Sequence, residues 1–358
     1  MASEWQVVRL GDAITLKRGY DLPNQARMAG NVPIVSSSGV SGFHSEAKVR
    51  APGVVTGRYG TIGQVHFIEN DFWPLNTTLY VQDFKGNLPR FVRYLLQTID
   101  YHQFSDKAAV PGVNRNDLHE AKISLPPLVE QHAIAETLGA LDDRIDNLRQ
   151  TNTTLESIAA ALFKSWFVDF DGVPPEDMQE SELGLLPKGW RAGTLADLCD
   201  LKYGKALKAT ERREGEIPVY GSGGITGYHN EALVTKPTII VGRKGTVGAL
   251  YWQSGPCFPI DTVFYVEPKV SLHFCYYAMM QMRLHNLNTD AAVPGLNRDN
   301  AYRQSVVIPS TENLAKWDAL ASNLRARMDN AAQQAGTLTA LRDILLPRLI
   351  SGKLRVAQ

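Results

Sequence analysis

The chain has 358 residues and a formal net charge of zero, with 37 basic and 37 acidic side chains. This length allows two or more domains with sizeable cores. No stretch approaches ~18 consecutive apolar residues, and the start MASEWQVVRLGD lacks the basic and apolar regions of a secretory signal, which argues against a membrane span and against export. We therefore expect a cytoplasmic protein without zinc or disulfides, in which Cys199, Cys257 and Cys275 are ordinary thiols.

The charge is distributed unevenly along the chain. Residues 126–185 carry 12 acidic and 3 basic side chains, a net of −9, whereas residues 1–125 have a net of +2, 186–308 a net of +4 and 309–358 a net of +3. The two larger blocks are therefore mildly basic, which permits contact with DNA without demonstrating it.

The first block, residues 1–125, reads as an α+β unit. Short β-branched and aromatic runs between glycines predict strands at 54–55, 64–68 and 77–81, and a local helix is predicted at 88–99. The same reading applies to residues 188–308, with strands at 238–241, 249–252 and 262–266 and a helix at 272–286.

These two blocks are copies of one another. The segment from Pro33 to His44 has a counterpart 185 residues later, and GRYGTIG at 57–63 reappears as GRKGTVG at 242–248. AAVPGVNR at 108–115 reappears as AAVPGLNR at 291–298. Matched segments in the same order indicate an internal duplication.

Each block is followed by a long helical stretch, residues 126–170 and residues 309–358. Apolar residues recur in alternating steps of four and three, which predicts the seam of a coiled coil. Its members are Ile134, Leu138, Leu141, Ile145, Leu148, Leu155 and Leu162 in the first stretch, and Leu324, Met328, Ala331, Leu338 and Leu345 in the second. Polar Asn152 occupies one seam position, and Arg342 interrupts the second seam near its end. Between the copies, residues 171–187 read as an acidic, solvated linker.

The predicted fold is therefore α+β, with two tandem α+β domains separated by two long helices that form an antiparallel coiled coil with pseudo-twofold internal symmetry. A helix of ~35 residues spans ~50 Å. This length is enough to hold two DNA-binding domains one turn of DNA, ~34–36 Å, apart. The same geometry suits a scaffold for two proteins, so it does not decide the ligand.

Basic, aromatic and hydroxyl residues at equivalent places in the two copies are the candidate DNA contacts. They are Lys17, Arg18, Ser36, Ser37, Ser38, Arg58, Tyr59, Asn114 and Arg115 in the first copy, and Lys202, Tyr203, Lys205, Ser222, Arg243, Lys244, Asn297 and Arg298 in the second. Glycine-flanked arginines allow close approach to phosphate, but the glycines also suit a tight hairpin. For the Asn-Arg pairs, capping of the fold where unit meets helix is a better explanation than DNA contact, and His44 and His229 are better explained by packing.

Catalytic motifs are absent from the sequence. It contains no HExxH, no GxSxG, no Walker loop and no clustered carboxylates in nuclease order. We therefore expect a chain that binds and positions, and an enzyme acting alone is disfavoured.

Several motifs resemble those of the specificity (S) subunits of type I restriction-modification systems. They are PPLVEQ at 126–131, FKSWFVDF at 163–170, LPKGW at 186–190, LLPRLISGKL at 345–354 and GxxGTxG in both copies. STEN at 310–313 departs from the Pro-Glu-Gln helix start. The resemblance implies two target recognition domains that read a bipartite asymmetric double-stranded site, and helices that dock two methyltransferase subunits, with restriction subunits in the full complex.

The resemblance further implies that this chain carries no cofactor, and that S-adenosylmethionine, ATP and magnesium belong to partner subunits. An acidic face on the first helix, with Glu136, Asp142, Asp143 and Asp146, fits a protein neighbour or a solvated coiled-coil face. The rival hypothesis is a two-headed protein-interaction scaffold that does not read DNA.

Overall fold

A computed structural model describes residues 5–104, 112–287 and 295–356. The repeated AAVP segments at 108–111 and 291–294 lie outside these residues. Within the described residues, each copy of the repeat contains nine equivalent strands and three short α-helices before its long helix, and the second copy adds one hairpin.

The first copy forms an α+β unit in which the strands precede most of the helical structure. Its elements are β1 Gln6–Arg9, α1 Leu10–Ala13, β2 Thr15–Arg18, β3 Val32–Ser36, β4 Gly39–His44, β5 Gly53–Gly57, β6 Val65–Ile68, β7 Trp73–Pro74, β8 Thr78–Asp83, α2 Pro89–Gln97, α3 Arg115–His119, β9 Lys122–Leu125 and α4 Leu128–Lys164. A π-helical turn at Ser165–Asp169 continues α4.

Three small sheets organise this copy. A four-stranded antiparallel sheet has the order β2-β8-β5-β6, a three-stranded sheet has the order β4-β3-β7, and β1 pairs with β9. In the three-stranded sheet β3 pairs with β4 antiparallel and with β7 parallel. The β1–β9 pair places the start of the unit beside the strand that leads into α4.

The second copy repeats this topology, with one added hairpin at its start. Its elements are β10 Met178–Ser181, β11 Gly184–Pro187, β12 Arg191–Thr194, α5 Leu195–Leu198, β13 Cys199–Tyr203, β14 Ile217–Gly221, β15 Gly224–His229, β16 Thr238–Gly242, β17 Leu250–Gln253, β18 Phe258–Pro259, β19 Val263–Pro268, α6 Leu272–Gln281, α7 Arg298–Tyr302, β20 Ser305–Ile308 and α8 Thr311–Ile350. The sheets β13-β19-β16-β17, β15-β14-β18 and β12-β20 match those of the first copy. The predicted fold class and the predicted strands and helices are confirmed.

The acidic segment between the copies is more structured than the sequence suggested. We expected residues 171–187 to form a solvated connector, but β10 and β11 pair as an antiparallel hairpin. Its Leu186 is only 1 % exposed. Apolar burial at Leu186 and a left-handed Gly184 (φ +92°) explain why a segment rich in acidic residues still folds.

The chain divides into two compact units that do not coincide with the two copies. The first unit comprises Met1–Leu148 and Gln334–Gln358, and the second comprises Arg149–Gln333. Each unit therefore contains one α+β domain and helix segments from both halves of the sequence.

In the first unit, the start of α4 packs against the end of α8. Ile134 and Leu138 of α4 and Leu349 of α8 join a core that also contains Phe91 of α2 and Leu16 of β2. Glu130, in the first turn of α4, pairs with Arg355, which follows α8. Asp142, further along α4, pairs with Arg342, which precedes Arg355 in the chain. The two segments are therefore antiparallel.

In the second unit, the end of α4 packs against the start of α8 through aromatic rings. Trp317 of α8 is fully buried, and its ring centroid lies 5.3 Å from that of Phe163 and 5.6 Å from that of Phe167. Further along, the Asn152 amide donates to the carbonyl of Met328 at 3.0 Å. These contacts are again antiparallel.

All of the predicted seam residues are at least half-buried. Ile134, Leu138, Ile145, Leu148, Met328 and Ala331 are buried, and Leu141, Leu155, Leu162, Leu324, Leu338 and Leu345 are half-buried. Arg342, which interrupts the seam, reaches Asp142 of α4 at 2.9 Å. Ala335, the counterpart of the seam position Asn152, is also buried.

The two long helices begin differently. Gln131 of α4 donates to the carbonyl of Pro126 at 3.0 Å and accepts from the backbone N–H of Leu88 at 3.0 Å, which ties the helix start to α2. At α8 the Ser310 hydroxyl accepts from the backbone N–H of Asn313 at 3.3 Å. The serine cap replaces the glutamine tie, so the sequence departure at 310–313 leaves the helix intact.

The acidic face predicted on α4 needs correction at two positions. Asp142 is 5 % exposed, and its Oδ2 accepts from the Tyr94 hydroxyl at 2.7 Å and lies 3.1 Å from Nη2 of Arg93. Asp143 pairs with Arg90 of α2 at 2.5 Å. These two carboxylates contact the unit's own α+β domain, whereas Glu136 is exposed.

Candidate nucleic-acid interface

The turn that follows β5 and its counterpart after β16 require their glycines for steric reasons. A Cβ on Gly57 would lie 1.9 Å from the carbonyl oxygen of Thr61, and one on Gly242 would lie 2.0 Å from that of Thr246. Gly60 and Gly245 adopt φ of +74° and +86°, a region that favours glycine. The glycines of GRYG and GRKG therefore shape the turn, which leaves its basic residues as the candidate contacts.

This turn lies against the serine-containing hairpin turn of the neighbouring sheet. A Cβ on Gly60 would be 3.3 Å from the Ser37 hydroxyl, and one on Gly245 would be 3.1 Å from the Ser222 hydroxyl. The loop before α3 joins them, because Val113 donates its backbone N–H to the carbonyl of Arg58 at 3.0 Å. In the second copy Leu296 donates to the carbonyl of Arg243 at 2.8 Å. Three segments far apart in sequence thus meet in each unit.

In the second unit, two arginines flank one exposed tyrosine. The guanidinium carbon of Arg243 lies 5.3 Å from the centroid of the Tyr203 ring, and that of Arg298 lies 5.1 Å from it. Arg243 also donates from Nη2 to the carbonyl of Asp261 at 2.8 Å. Tyr203 is 50 % exposed and the side chain of Lys244 is exposed beside the cluster. Such a cationic surface, ordered by cation–π contacts to one ring, can contact a phosphate backbone.

The equivalent surface of the first unit has different side chains. Arg18 stands at the position of Tyr203 and lies 3.9 Å from Asp21, whereas Tyr59 stands at the position of Lys244. The guanidinium of Arg58 covers the Tyr59 ring at 4.5 Å. The backbones of Gly19 and Arg58 both bond to the start of β8, which brings Arg18 near Arg58. The two surfaces have the same backbone arrangement and different side chains.

The arginine at the start of α3 also differs between the copies. Arg115, the counterpart of Arg298, is exposed and donates to the amide oxygen of Asn116 instead of covering a ring.

Several predicted contact residues have local structural partners. Lys202 faces away from Tyr203 along the strand and pairs with Glu267 at 3.4 Å and Asp200 at 3.6 Å, while Lys17 lies 5.7 Å from the Tyr20 ring. The Ser36 hydroxyl donates to the carbonyl of Gly39 and lies 3.0 Å from the Ser38 hydroxyl. Lys205 is exposed next to the cluster and bonds by its backbone to Pro259.

The two asparagines cap short helices. The Asn114 side chain accepts from the backbone N–H of Asn116 at 2.9 Å, and that of Asn297 accepts from the backbone N–H of Asp299 at 2.8 Å. The capping alternative therefore accounts for both side-chain oxygens. His44 and His229 are buried against Trp73 and Phe258, and each accepts a backbone N–H at 3.0 Å, which confirms their packing role.

Sequence reasoning missed a pair of exposed apolar side chains on each edge strand. Val40 and Phe43 of β4 are 55 % and 59 % exposed, and Ile225 and Tyr228 of β15 are 51 % and 56 % exposed. They occupy equivalent positions in the repeat, and that recurrence was the available signal. Exposed apolar residues repeated in this way indicate a contact surface.

Two further kinds of reactive group, assembled metal-binding clusters and exposed thiols, are absent from the described residues. Residues 5–104, 112–287 and 295–356 contain no group of three His, Cys, Asp or Glu that could hold a metal. The three cysteines are unpaired and buried, and burial raises the pKa of the Cys257 thiol to about 12, which disfavours its thiolate. No helix in those ranges is long and apolar enough to cross a membrane.

Comparison with known proteins gives one consistent family. The family model described as the type I restriction modification DNA specificity domain matches residues 2–157 and 187–321. The type I restriction enzyme MjaIX specificity subunit of Methanocaldococcus jannaschii is 25% identical over 83% of this chain and 76% of its own length. The type I restriction enzyme HindI specificity subunit of Haemophilus influenzae is 23% identical over 82% of this chain and 84% of its own. The crystal structure of the S subunit of the type I restriction-modification system from M. genitalium matches with a TM-score of 0.64 at 22% identity, covering 97% of this chain and 96% of that one.

Proposed function

Because the chain belongs to the type I restriction modification DNA specificity family, whose general role is DNA sequence recognition, we propose that it reads a bipartite, asymmetric double-stranded DNA site. One half-site is assigned to each α+β domain. The observation that carries this proposal is the repeated surface around the GRYG and GRKG turns, which has one backbone frame and two different sets of side chains. One frame suits one kind of ligand, and different side chains select different bases.

The electrostatics of the surface in the second unit support contact with a polyanion. Arg243, Lys244 and Arg298 bring three cations to one edge of the domain, and the Tyr203 ring holds Arg243 and Arg298 beside it. Asp261, in the segment between β18 and β19, contributes its backbone carbonyl to Arg243. Arg243 and Lys244 lie on the rigid GRKG turn, so little order has to be gained on binding.

We assign the chain a positioning role within a larger complex. It would dock two methyltransferase subunits, through which restriction subunits join, and S-adenosylmethionine, ATP and magnesium would be held by those partners. Exposed apolar residues at equivalent positions of the long helices support docking by one partner per unit: Ile158 and Leu341 are each 43 % exposed. The recurrence of an exposed apolar side chain at the same position of both helices is what supports a repeated protein contact.

Exchange of residues 188–308 for the corresponding domain of a relative with a different site tests this function. We expect one half of the recognised sequence to change and the other half to persist, because each half is read by its own domain. The readout is the set of methylated sequences in cells that carry the parent or the exchanged chain. A change in both halves would refute independent reading.

The same exchange separates DNA reading from the scaffold alternative. A scaffold that holds two proteins and does not read DNA predicts that the methylated sequence stays the same after the exchange. Retention of one double-stranded site over scrambled competitor by the purified complex at physiological salt gives a second, direct measure.

A further inference from the structure

The duplication raises a question of self-recognition, because each half of the sequence contains one domain and one long helix. A chain built from two copies could pair either half with its own kind. The seam residues of α4 and α8 match when 183 is added to the residue number, so each position in α4 has an equivalent 183 residues later in α8. The equivalent of Asp142 is therefore Arg325, and the equivalents of Glu156 and Ala159 are Thr339 and Arg342.

An ion pair in the first unit joins the two halves. Asp142 from the first half accepts from Nη1 of Arg342 from the second half at 2.9 Å, and their side chains are 6 % and 26 % exposed. Arg93 and Tyr94 also contact Asp142, but they belong to the same half and accompany it in any pairing. Arg342 is thus the contact with Asp142 that depends on which half lies opposite.

An ion pair of reversed polarity joins the halves in the second unit. Nη2 of Arg325 from the second half lies 3.0 Å from the Glu156 carboxylate of the first half, with side chains 13 % and 29 % exposed. Arg325 also stacks on Trp252 at 4.9 Å and Tyr276 at 5.5 Å, and both rings come from its own half. Glu156 is the contact with Arg325 that depends on the partner half.

Pairing of like halves brings like charges together in both cases. Two first halves would place Asp142 of one at the position that Arg325 occupies opposite Glu156 of the other, which sets carboxylate against carboxylate. Two second halves would place Arg342 of each opposite Arg325, which sets guanidinium against guanidinium. Both positions are largely shielded from water, so solvent screens the repulsion poorly.

We propose that the Asp142–Arg342 and Glu156–Arg325 pairs make each half of this chain accept the other half and reject a second copy of itself. The interaction surface is the face along which α4 and α8 pair, and the partner of each helix is the long helix of the other half of the sequence. This arrangement favours the asymmetric two-domain chain over symmetric assemblies of identical domains. The proposal stands apart from DNA reading, because it concerns only how the helices choose one another.

The test uses the folded full chain, cut after purification at a protease site inserted in the exposed stretch 172–175. Two preparations of the cut protein with different mass tags are mixed, diluted to allow exchange and reconcentrated, and native mass spectrometry counts the pairs. We expect pairs of unlike fragments to exceed pairs of like fragments by more than about tenfold. A statistical mixture of the fragments would overturn the proposal.

Arg342→Glu gives the converse result. It sets an acid opposite Arg325 of a second C-terminal fragment and opposite Asp142 of the N-terminal fragment, so pairs of like C-terminal fragments should increase. Arg327→Glu makes the same change of charge at an exposed position of α8 and should leave the distribution unchanged. An equal response of both variants would show that net charge, and not these contacts, sets the pairing.

The uncut chain supplies a second measurement that does not depend on fragment survival. Glu156→Lys should lower the melting temperature, and adding Arg325→Glu should recover part of the loss by restoring opposite charges. If the double variant lost as much melting temperature as the two single variants, Glu156→Lys and Arg325→Glu, added together, the two residues would not be coupled and the proposal would fail.

Discussion

Lys244 offers the cleanest perturbation of the proposed DNA surface. Its side chain is exposed, and its backbone N–H is bonded to the carbonyl of Thr262 at 3.1 Å within the GRKG turn. Lys244→Ala therefore removes one positive charge and leaves the turn in place. Arg243→Ala is less clean, because it also uncovers Tyr203 and releases the carbonyl of Asp261.

The size of the effect follows from counterion release. One phosphate contact contributes about 0.9 to the slope of log affinity against log salt concentration on duplex DNA. The contribution of counterion release vanishes at ~1 M salt. With a slope of about 0.9, loss of one phosphate contact therefore lowers the affinity about fivefold at ~0.15 M salt. The effect should be the same for every sequence, since a phosphate carries no base information.

The assay is fluorescence anisotropy with a labelled duplex that contains the recognised site, titrated with the complex at several salt concentrations. Lys236→Ala is the matched control, because Lys236 is an exposed lysine of the same domain outside the GRKG turn and its removal should leave the slope unchanged. Parent-like affinity and slope for Lys244→Ala would remove this residue from the interface and would refute the placement of the phosphate backbone at this turn.

Two further predictions concern stability. Asp142→Ala should lower the free energy of unfolding by about 3 kcal/mol, because it removes the carboxylate beside the partly buried guanidinium of Arg93 and leaves Arg342 with only the exposed Asp343. In the same urea titration Asp143→Ala should change this free energy by less than about 1 kcal/mol, because the Asp143 side chain is 63% exposed. Burial lowers the pKa of His119, whose Nε2 accepts the backbone N–H of Leu16 at 3.0 Å. The unfolded chain therefore binds more protons, so this contribution is fully present above the unfolded pKa of about 6.5 and is lost as the pH falls below it. His119→Gln should show a weaker decline of stability below that pH than the parent, and equal declines would contradict the assignment.

The sequence predicted the parts of this molecule that rest on local or repeated patterns. The heptad spacing located the seam from Ile134 to Leu345 because an apolar stripe on a helix must be buried. The duplication located the GRYG and GRKG turns and the serine turns, and the structure brings them together in each unit. The strands β5 and β16 followed from β-branched runs between glycines.

Long-range partners account for what the sequence did not predict. Asp142 looked like part of an acidic outer face, and it is buried because Tyr94 and Arg93 approach it from α2 and Arg342 from α8. No local pattern carries that information. The position of Lys202 was predictable in principle, because it neighbours Tyr203 in a strand and must face the opposite side.

The hairpin at residues 178–187 shows a different limit. Its acidic composition suggested a solvated segment, yet one buried leucine and one left-handed glycine suffice to fold it against the second unit. Composition describes the average environment of a segment, whereas a hairpin depends on a few positions.

The most direct test of DNA reading by this chain is a map of methylated adenines in DNA from cells with and without it. The account predicts a split sequence of two unlike halves that is methylated only when the chain is present, and whose second half alone changes when residues 188–308 are exchanged. Methylation that does not depend on the chain, or a single undivided motif, would contradict it.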